Sequence, residues 1–82
     1  MYYVYVLKSK KDNKHYIGYT NDLRRRFKEH NSGKNKSTKD RMPFELIYYE
    51  AYTIKSSAIK RENKLKKFKN SYSMLMKRIY NE

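Results

Sequence analysis

Two runs of aromatic and β-branched residues at the start of the chain predict a β-hairpin. Residues 2–7 (YYVYVL) and 15–19 (HYIGY) have the composition that favours strands, and the polar residues 8–14 (KSKKDNK) between them predict a turn. If Tyr5 lies opposite Tyr16, the midpoint of the pairing falls inside this turn, so the register is geometrically reasonable. Because side chains alternate between the two faces of a strand, both phenols are expected on one face.

An amphipathic helix is predicted to follow the hairpin. Thr20, Asn21 and Asp22 supply N-capping side chains, and residues 31–33 (NSG) mark its C-terminal end. Residues 34–43 form a polar, basic loop that leads to the next apolar segment.

The next part of the chain predicts a third strand and a second helix. Residues 45–52 (ELIYYEAY) have strand composition. Ser56 and Ser57 are the expected caps of a helix that runs to about Phe68.

A third helix is expected to begin with Asn70 or Ser71 as its cap. Its apolar residues recur at helical spacing, a pattern typical of core packing: Tyr72, Leu75, Met76 and Ile79. The predicted order is therefore ββαβαα, an α+β fold in which helices flank a three-stranded antiparallel sheet. At this length, residues 1–82 are expected to form a single domain.

The charge of the chain favours a polyanionic partner. With 21 Lys and Arg against 8 Asp and Glu, the net charge is +13, which attracts nucleic acid by long-range steering and counterion release. DNA is expected more than RNA. A merely solvated basic surface is the alternative, and an anionic membrane is a weaker choice because no helix pairs the basic residues with a bulky apolar face.

The absence of cysteine narrows the chemistry further. Without cysteine the chain has no disulfides, thiolate zinc sites or thiol nucleophiles, and a reducing, cytoplasmic location is expected. Two histidines are too few for a zinc site, and the longest apolar run is far shorter than the ~20 residues that span a bilayer. A soluble protein with no membrane partner and no targeting segment is therefore expected.

The basic residues of the first helix are not equivalent on a helical wheel. Arg24, Arg25 and Lys28 fall on or near the solvent side, whereas Arg26 and His30 flank the apolar seam one turn apart. A guanidinium beside the core is costly unless something anionic meets it. Arg26 is therefore a candidate anion-binding residue, and the alternatives are a structural salt bridge or a side chain that reaches out to solvent.

A carboxylate interrupts the apolar face of the second helix. Glu62 lies between Ala58 and Leu65 on the wheel, where an apolar residue is expected. Such an acid either pairs with a buried base or supplies a hard oxygen ligand to a divalent cation. Arg26 and Glu62 could satisfy each other, which is the simplest structural explanation of both.

Tyr16 and Gly18 share one face of the second strand. Aromatic residues in strands are ordinarily core residues, but the missing side chain of Gly18 would let another group approach the backbone. A shallow cleft floored by Gly18 and bordered by phenols, a guanidinium and a carboxylate would suit a phosphodiester.

These residues resemble the motifs of the GIY-YIG nuclease family, most closely its small standalone bacterial members. The resemblance covers nearly the whole chain, and its five ordered elements are Tyr3, Val4 and Tyr5; Tyr16, Ile17 and Gly18; Arg26; His30; and Glu62. Tyr3 replaces the glycine of the family pattern and Val4 replaces its isoleucine, so access to the site beside the first strand is expected to differ.

The resemblance implies a divalent-metal-dependent endonuclease that hydrolyses DNA phosphodiesters, with nicked, branched or single-stranded forms as candidate substrates and DNA repair or recombination as a candidate role. Tyr5 and Tyr16 would be the active-site phenols, with the choice of base left open, and Arg26 would stabilise phosphate charge. Glu62 would hold one Mg²⁺ or Mn²⁺, and His30 would relay a proton or orient Tyr16.

Further residues are expected to hold the nucleic-acid backbone: Gly18, Arg24, Arg25, Lys34, Lys36, Lys39 and Arg41. Larger members of the family carry additional domains that find the target, so a separate protein partner is expected to supply targeting here. The alternatives are a nucleic-acid-binding module that keeps the fold without turnover and a protein-interaction adaptor.

Overall fold

The computed structural model describes residues 1–81 of the chain. Its elements, in order, are β1 (Tyr2–Ser9), β2 (His15–Thr20), α1 (Leu23–Asn31), a short 3-10 turn (Lys39–Arg41), β3 (Phe44–Tyr52), α2 (Lys55–Lys67) and α3 (Lys69–Tyr80). The strands form one antiparallel sheet in the order β2-β1-β3. The predicted ββαβαα order and the α+β class are confirmed. None of the helices described within residues 1–81 is long and apolar enough to cross a membrane.

The hairpin register differs from the expected one by two residues. Tyr5 lies opposite Gly18 and Leu7 lies opposite Tyr16, so the expected pairing of Tyr5 with Tyr16 is wrong. The first strand continues to Ser9, whose hydroxyl accepts two backbone N–H groups of the turn and tightens it. Because a shift of two residues keeps every side chain on its own face, both phenols still share one face of the sheet.

The sheet separates two hydrophobic clusters. The larger cluster lies under α2 and α3, and its buried members are Val4, Val6, Ile17, Ala58, Leu65 and Leu75. The predicted apolar stripe of the third helix packs here, with Leu75 buried and Tyr72, Met76 and Ile79 half-buried against it. The smaller cluster lies under α1 on the opposite face, where Tyr5, Leu7 and Phe44 are buried.

Only the first of the three predicted helix caps is present. The Asp22 side chain accepts the backbone N–H of Arg25 at 3.1 Å, which confirms the cap of α1. The predicted serine caps of α2 and the Asn70 or Ser71 cap of α3 are wrong, because those residues lie within the first helical turns. Few residues separate β3 from α2, and only Phe68 separates α2 from α3, so each helix begins before a capping side chain is reached.

Candidate active site

Tyr5 lies at the centre of the candidate site, on the middle strand of the sheet. Its side chain is buried, and its ring lies over Gly18 on the neighbouring strand. A Cβ atom at position 18 would collide with the Tyr5 ring and hydroxyl. The structure therefore gives Gly18 a different role from the expected cleft floor: the space left by its missing side chain is filled by Tyr5.

A buried chain of hydrogen bonds links Tyr5 to the loop after α1. The Tyr5 hydroxyl lies 2.9 Å from His30 Nε2, and His30 Nδ1 lies 2.8 Å from Thr38 Oγ1. Thr38 Oγ1 donates its only hydrogen to the Asn35 carbonyl at 3.4 Å, so it accepts a hydrogen bond from His30 Nδ1–H. In this tautomer His30 Nε2 carries no hydrogen, and it accepts a hydrogen bond from the Tyr5 hydroxyl. Tyr5, His30 and Thr38 are at most 1% exposed, so each polar atom in this chain depends on the next.

His30 is held in its neutral form. Burial, aided by the positive charge of Arg26, lowers the pKa of His30 to about 4, and Glu29 only partly offsets this effect. The ring therefore accepts a hydrogen bond from Tyr5 at neutral pH. The His30 ring centroid lies 5.0 Å from that of Tyr16, but of the two phenols it is Tyr5 that His30 hydrogen-bonds. The hydrogen bonds therefore favour a role for His30 in positioning Tyr5 over the expected orientation of Tyr16.

The two phenols differ in environment. Burial raises the pKa of Tyr5 to about 12, against the opposing effect of the Arg26 guanidinium, and Tyr16 and Glu62 raise it further. Arg26 alone thus does not give Tyr5 the lowered pKa that a base needs. Tyr16 is half-exposed, with its ring centroid 6.4 Å from that of Tyr5. Tyr16 is therefore the phenol that a solvent-borne substrate can reach.

Arg26 lies on α1 at the border between the core and solvent, as the wheel predicts. Its side chain is 33% exposed, and its Nη1 donates to Glu29 Oε1 at 3.1 Å. Burial opposes its charge, but the interactions with Tyr5 and Glu29 outweigh burial and raise the pKa of Arg26. The guanidinium is thus a permanent cation beside the two phenols.

Glu62 lies half-buried on α2, with its side chain 17% exposed. Its carboxylate accepts from Lys66 Nζ at 2.9 Å, one turn along the same helix, and its charge reaches Tyr5. Arg26 pairs with Glu29 and Glu62 with Lys66, so the alternative in which Arg26 and Glu62 satisfy each other is not present in the structure. The carboxylate or ammonium partner of each charge lies on its own helix.

Glu62 is the residue expected to bind the metal ion. Within residues 1–81 no group of three or more His, Cys, Asp or Glu side chains is placed to hold a metal ion. One carboxylate with a free oxygen suits a hard divalent cation that takes its other ligands from water and phosphate. The donor set thus fits the single-ligand Mg²⁺ or Mn²⁺ site that the resemblance implies, and it does not fit a closed zinc site.

The six basic residues expected to hold nucleic acid fall into three groups. Arg24 and Arg25 are exposed on α1, and Arg25 pairs with Asp22 and Glu29. The three loop lysines are also exposed: Lys34, Lys36 and Lys39. Arg41 is different, because its Nε donates to Asp12 Oδ2 at 3.2 Å and its Nη2 donates to the His15 carbonyl at 3.4 Å. This arginine ties the loop to the hairpin.

A second polar cluster, which the sequence reasoning missed, joins α2 to the sheet. Arg61 binds the Glu50 carboxylate through Nε at 3.0 Å and Nη2 at 3.0 Å, and the hydroxyls of Tyr48 and Tyr52 donate to the same carboxylate. Burial alone would raise the pKa of Glu50, but the bonds from Arg61, Tyr52 and Tyr48 outweigh it and lower that pKa. The alternation of polar and apolar residues in β3 could have indicated Glu50 and its two tyrosine partners on the same strand, but the charged partner, Arg61, comes from α2.

Comparison with known proteins supports the resemblance. The model of the GIY-YIG catalytic domain matches residues 1–78. The chain belongs to the GIY-YIG family. The GIY-YIG chain is 42% identical over 76 residues to the UPF0213 protein SH2523 of Staphylococcus haemolyticus, with 92% of each chain covered. It is 49% identical over 67 residues to the UPF0213 protein YazA of Bacillus subtilis, covering 80% of this chain and 67% of that protein.

A solved structure also matches this GIY-YIG domain. The solution NMR structure of the UPF0213 protein BH0048 from Bacillus halodurans has a TM-score of 0.60 and 35% sequence identity, and covers 99% of this chain and 89% of that chain. The sheet and helices described above therefore have an experimental counterpart among the relatives.

The departure from the family pattern at Tyr3 has a clear position in the structure. Tyr3 is half-buried on the face that carries Tyr5 and packs edge-on against Tyr49 of β3, with ring centroids 6.1 Å apart. Tyr49 is 54% exposed. The added bulk thus extends the aromatic surface toward β3 and leaves the bonds of Tyr5 and His30 intact.

Proposed function

We propose that this GIY-YIG protein is a metal-dependent endonuclease that hydrolyses phosphodiesters in DNA. The observation that carries the proposal is the placement of Arg26 and Glu62. Each is partly withdrawn from water, neither pairs with the other, and both act on the electrostatics of the same phenol, Tyr5. A guanidinium, a carboxylate and phenols at one place are the groups that a phosphoryl-transfer site needs.

The roles of the two phenols follow from their surroundings. The Tyr5 hydroxyl donates a hydrogen bond to neutral His30, and its pKa is raised. Tyr5 therefore acts as a neutral, fixed hydroxyl that positions the site. Tyr16 is half-exposed and is the phenol presented to the attacking water or to the phosphate. Arg26 donates N–H groups to the phosphoryl oxygens, where negative charge accumulates as the reaction proceeds.

Glu62 is the residue that would hold the divalent cation. A Mg²⁺ or Mn²⁺ ion bound there supplies positive charge to the phosphate and to its leaving oxygen. The ion pair between Glu62 and Lys66 would compete only weakly with the ion, because its lysine is exposed and an i,i+4 pair of this kind is worth about 0.5 kcal/mol.

The substrate is inferred from charge and size. A net charge of +13 on 82 residues suits DNA, and nicked, branched or single-stranded forms are the proposed substrates, with repair or recombination as the cellular setting. A small domain has few surfaces with which to read a sequence, so we infer that a protein partner directs it to its target. A cytoplasmic location remains a prediction from the lack of cysteine.

The proposal is tested by cleavage of labelled single-stranded, duplex, nicked and branched DNA and of matched RNA, with Mg²⁺, Mn²⁺ or EDTA. We expect metal-dependent products from the wild type and a loss of at least about 100-fold in rate for Arg26→Ala and Glu62→Gln. The first variant loses the cation that would contact the phosphate, and the second loses the carboxylate that would hold the metal ion. Tyr16→Phe is expected to lose about as much if the phenol moves a proton, since general base catalysis contributes about 100-fold or more.

Matched controls carry the same chemical changes outside the site. Lys28→Ala removes an exposed cation from the same helix as Arg26, and Glu45→Gln neutralises an exposed carboxylate on β3. Both are expected to keep the wild-type rate. DNA binding without cleavage under any metal condition would contradict the proposal and would indicate a binding module that retains the nuclease fold.

A further inference from the structure

A basic groove begins at the candidate active site and runs along the junction of α2 and α3. This junction groove has a volume of about 500 Å³, and the residues that matter here are His15, Tyr16, Lys66, Lys67, Lys69 and Tyr72. Tyr16 therefore belongs both to the candidate site and to the groove. Lys66 also connects the two, because its ammonium group donates to Glu62.

One wall of the groove is aromatic and fixed in place. His15 lies between two tyrosines of α3, with Nδ1 3.1 Å from the Tyr72 hydroxyl and Nε2 2.8 Å from the Tyr80 hydroxyl. Burial, together with the charges of Lys8 and Arg41, lowers the pKa of His15 and keeps the ring neutral near pH 7. The wall thus presents flat rings without adding charge.

Two lysines at the α2–α3 junction supply charge to the groove. Lys67 is the last residue of α2 and Lys69 the first residue of α3, and both side chains are exposed. None of the ion pairs among residues 1–81 involves either of them. Two ammonium groups with no anionic partner therefore stand beside the candidate catalytic phenol.

We propose that the junction groove binds the backbone of one nucleic-acid strand next to the phosphate that is cleaved, so that the strand passes Tyr16 and continues along the α2–α3 junction. The inference rests on the proposed function, which it extends by naming the path of the substrate. A lysine-lined groove with a rigid aromatic wall is the combination that follows a single strand, because ammonium groups attract phosphates and rings accept stacked bases.

Lys60 on α2 and Lys77 on α3 offer a charge-matched comparison on the same two helices. Both are exposed, like Lys67 and Lys69, but they do not line the junction groove. The double variants Lys67→Ala/Lys69→Ala and Lys60→Ala/Lys77→Ala therefore remove the same net charge from different places. Both pairs are exposed, so circular dichroism is expected to show wild-type folding for both variants.

The experiment measures binding of a fluorescein-labelled single-stranded oligodeoxynucleotide by anisotropy, in EDTA, at salt concentrations from about 50 to 200 mM. Loss of two phosphate contacts is expected to reduce the slope of log affinity against log salt by about 1.4 for the Lys67 and Lys69 variant. The Lys60 and Lys77 variant is expected to keep a slope close to that of the wild type.

Equal changes of slope in the two variants would overturn the inference, because overall charge would then explain binding. No binding by the wild type would also overturn it. Cleavage by the wild type together with an unchanged slope for the Lys67 and Lys69 variant would refute the groove while the nuclease proposal stands. Loss of slope in that variant without any cleavage would support the groove and refute the nuclease proposal.

Discussion

Acidification is expected to destabilise the protein through His30. The pKa of the buried imidazole is about 4, against an ordinary value of 6.5, which applies to the unfolded chain. Between these two values the unfolded state binds more protons than the folded state, so the free energy of unfolding rises with pH. The stabilisation is fully present above about pH 6.5 and is lost as the pH falls toward 4.

The size of the effect follows from the gap between the two values. A difference between 6.5 and about 4 corresponds to about 3 kcal/mol in the free energy of unfolding. Because His30 is 0% exposed and its two nitrogens are both hydrogen-bonded, little of this energy is lost to solvent screening. For a domain of this length, about 3 kcal/mol is a substantial part of the total stability.

The assay is urea denaturation of the wild type and of His30→Gln at several pH values between about 7 and 4.5. We expect the wild type to lose about 2 to 3 kcal/mol over this range and the variant to show a much flatter profile. His15→Gln is the control. The pKa of His15 is also lowered, so protonation of His15 contributes a loss of stability of the same sign, and this variant measures how large that contribution is. Parallel profiles for the wild type and His30→Gln would refute the buried, neutral imidazole.

Three further predictions concern the supports of the site. Gly18→Ala should destabilise the protein by about 1 to 3 kcal/mol, because the added methyl group meets the Tyr5 ring. In a double-mutant cycle, Gly18→Ala should cost less when Tyr5 is already replaced by Ala, and additive losses would argue against the contact. Thr38→Val should cost about 1 to 3 kcal/mol in urea denaturation by leaving a buried imidazole nitrogen unpaired, whereas Thr38→Ser should remain near the wild type. Arg61→Met should cost about 2 to 4 kcal/mol, because the Glu50 carboxylate keeps its charge without its main partner, and Arg61→Lys should cost less; an unchanged midpoint for Arg61→Met would contradict this role.

The fold was predictable because its signals are local. The strands and helices follow from runs and spacings within a few residues of each other, and the faces of β1 and β2 follow from alternation alone. The register was missed by two residues, since it depends on how Ser9 closes the turn. The caps of α2 and α3 were missed for a similar reason, because the connections between elements leave no room for them.

The candidate site was partly predictable for the same reason. Arg26, His30 and Glu62 stand out on helical wheels; the structure places Arg26 and Glu62 at the border of the core and buries His30. Their partners were not predictable. Thr38 comes from a loop with no regular pattern, and the bonds of Arg26 and Glu62 to residues on their own helices replace the mutual pairing that the wheels allowed.

By itself the sequence determined which elements form, which residues face the core, and which charged groups are out of place, because helical and strand periods are properties of neighbouring residues. Only the tertiary structure decided that Tyr5 fills the space over Gly18, that His30 binds Tyr5, and that Tyr16 opens onto a lysine-lined groove. These contacts join residues far apart in the chain, and their geometry depends on how the sheet and helices pack together.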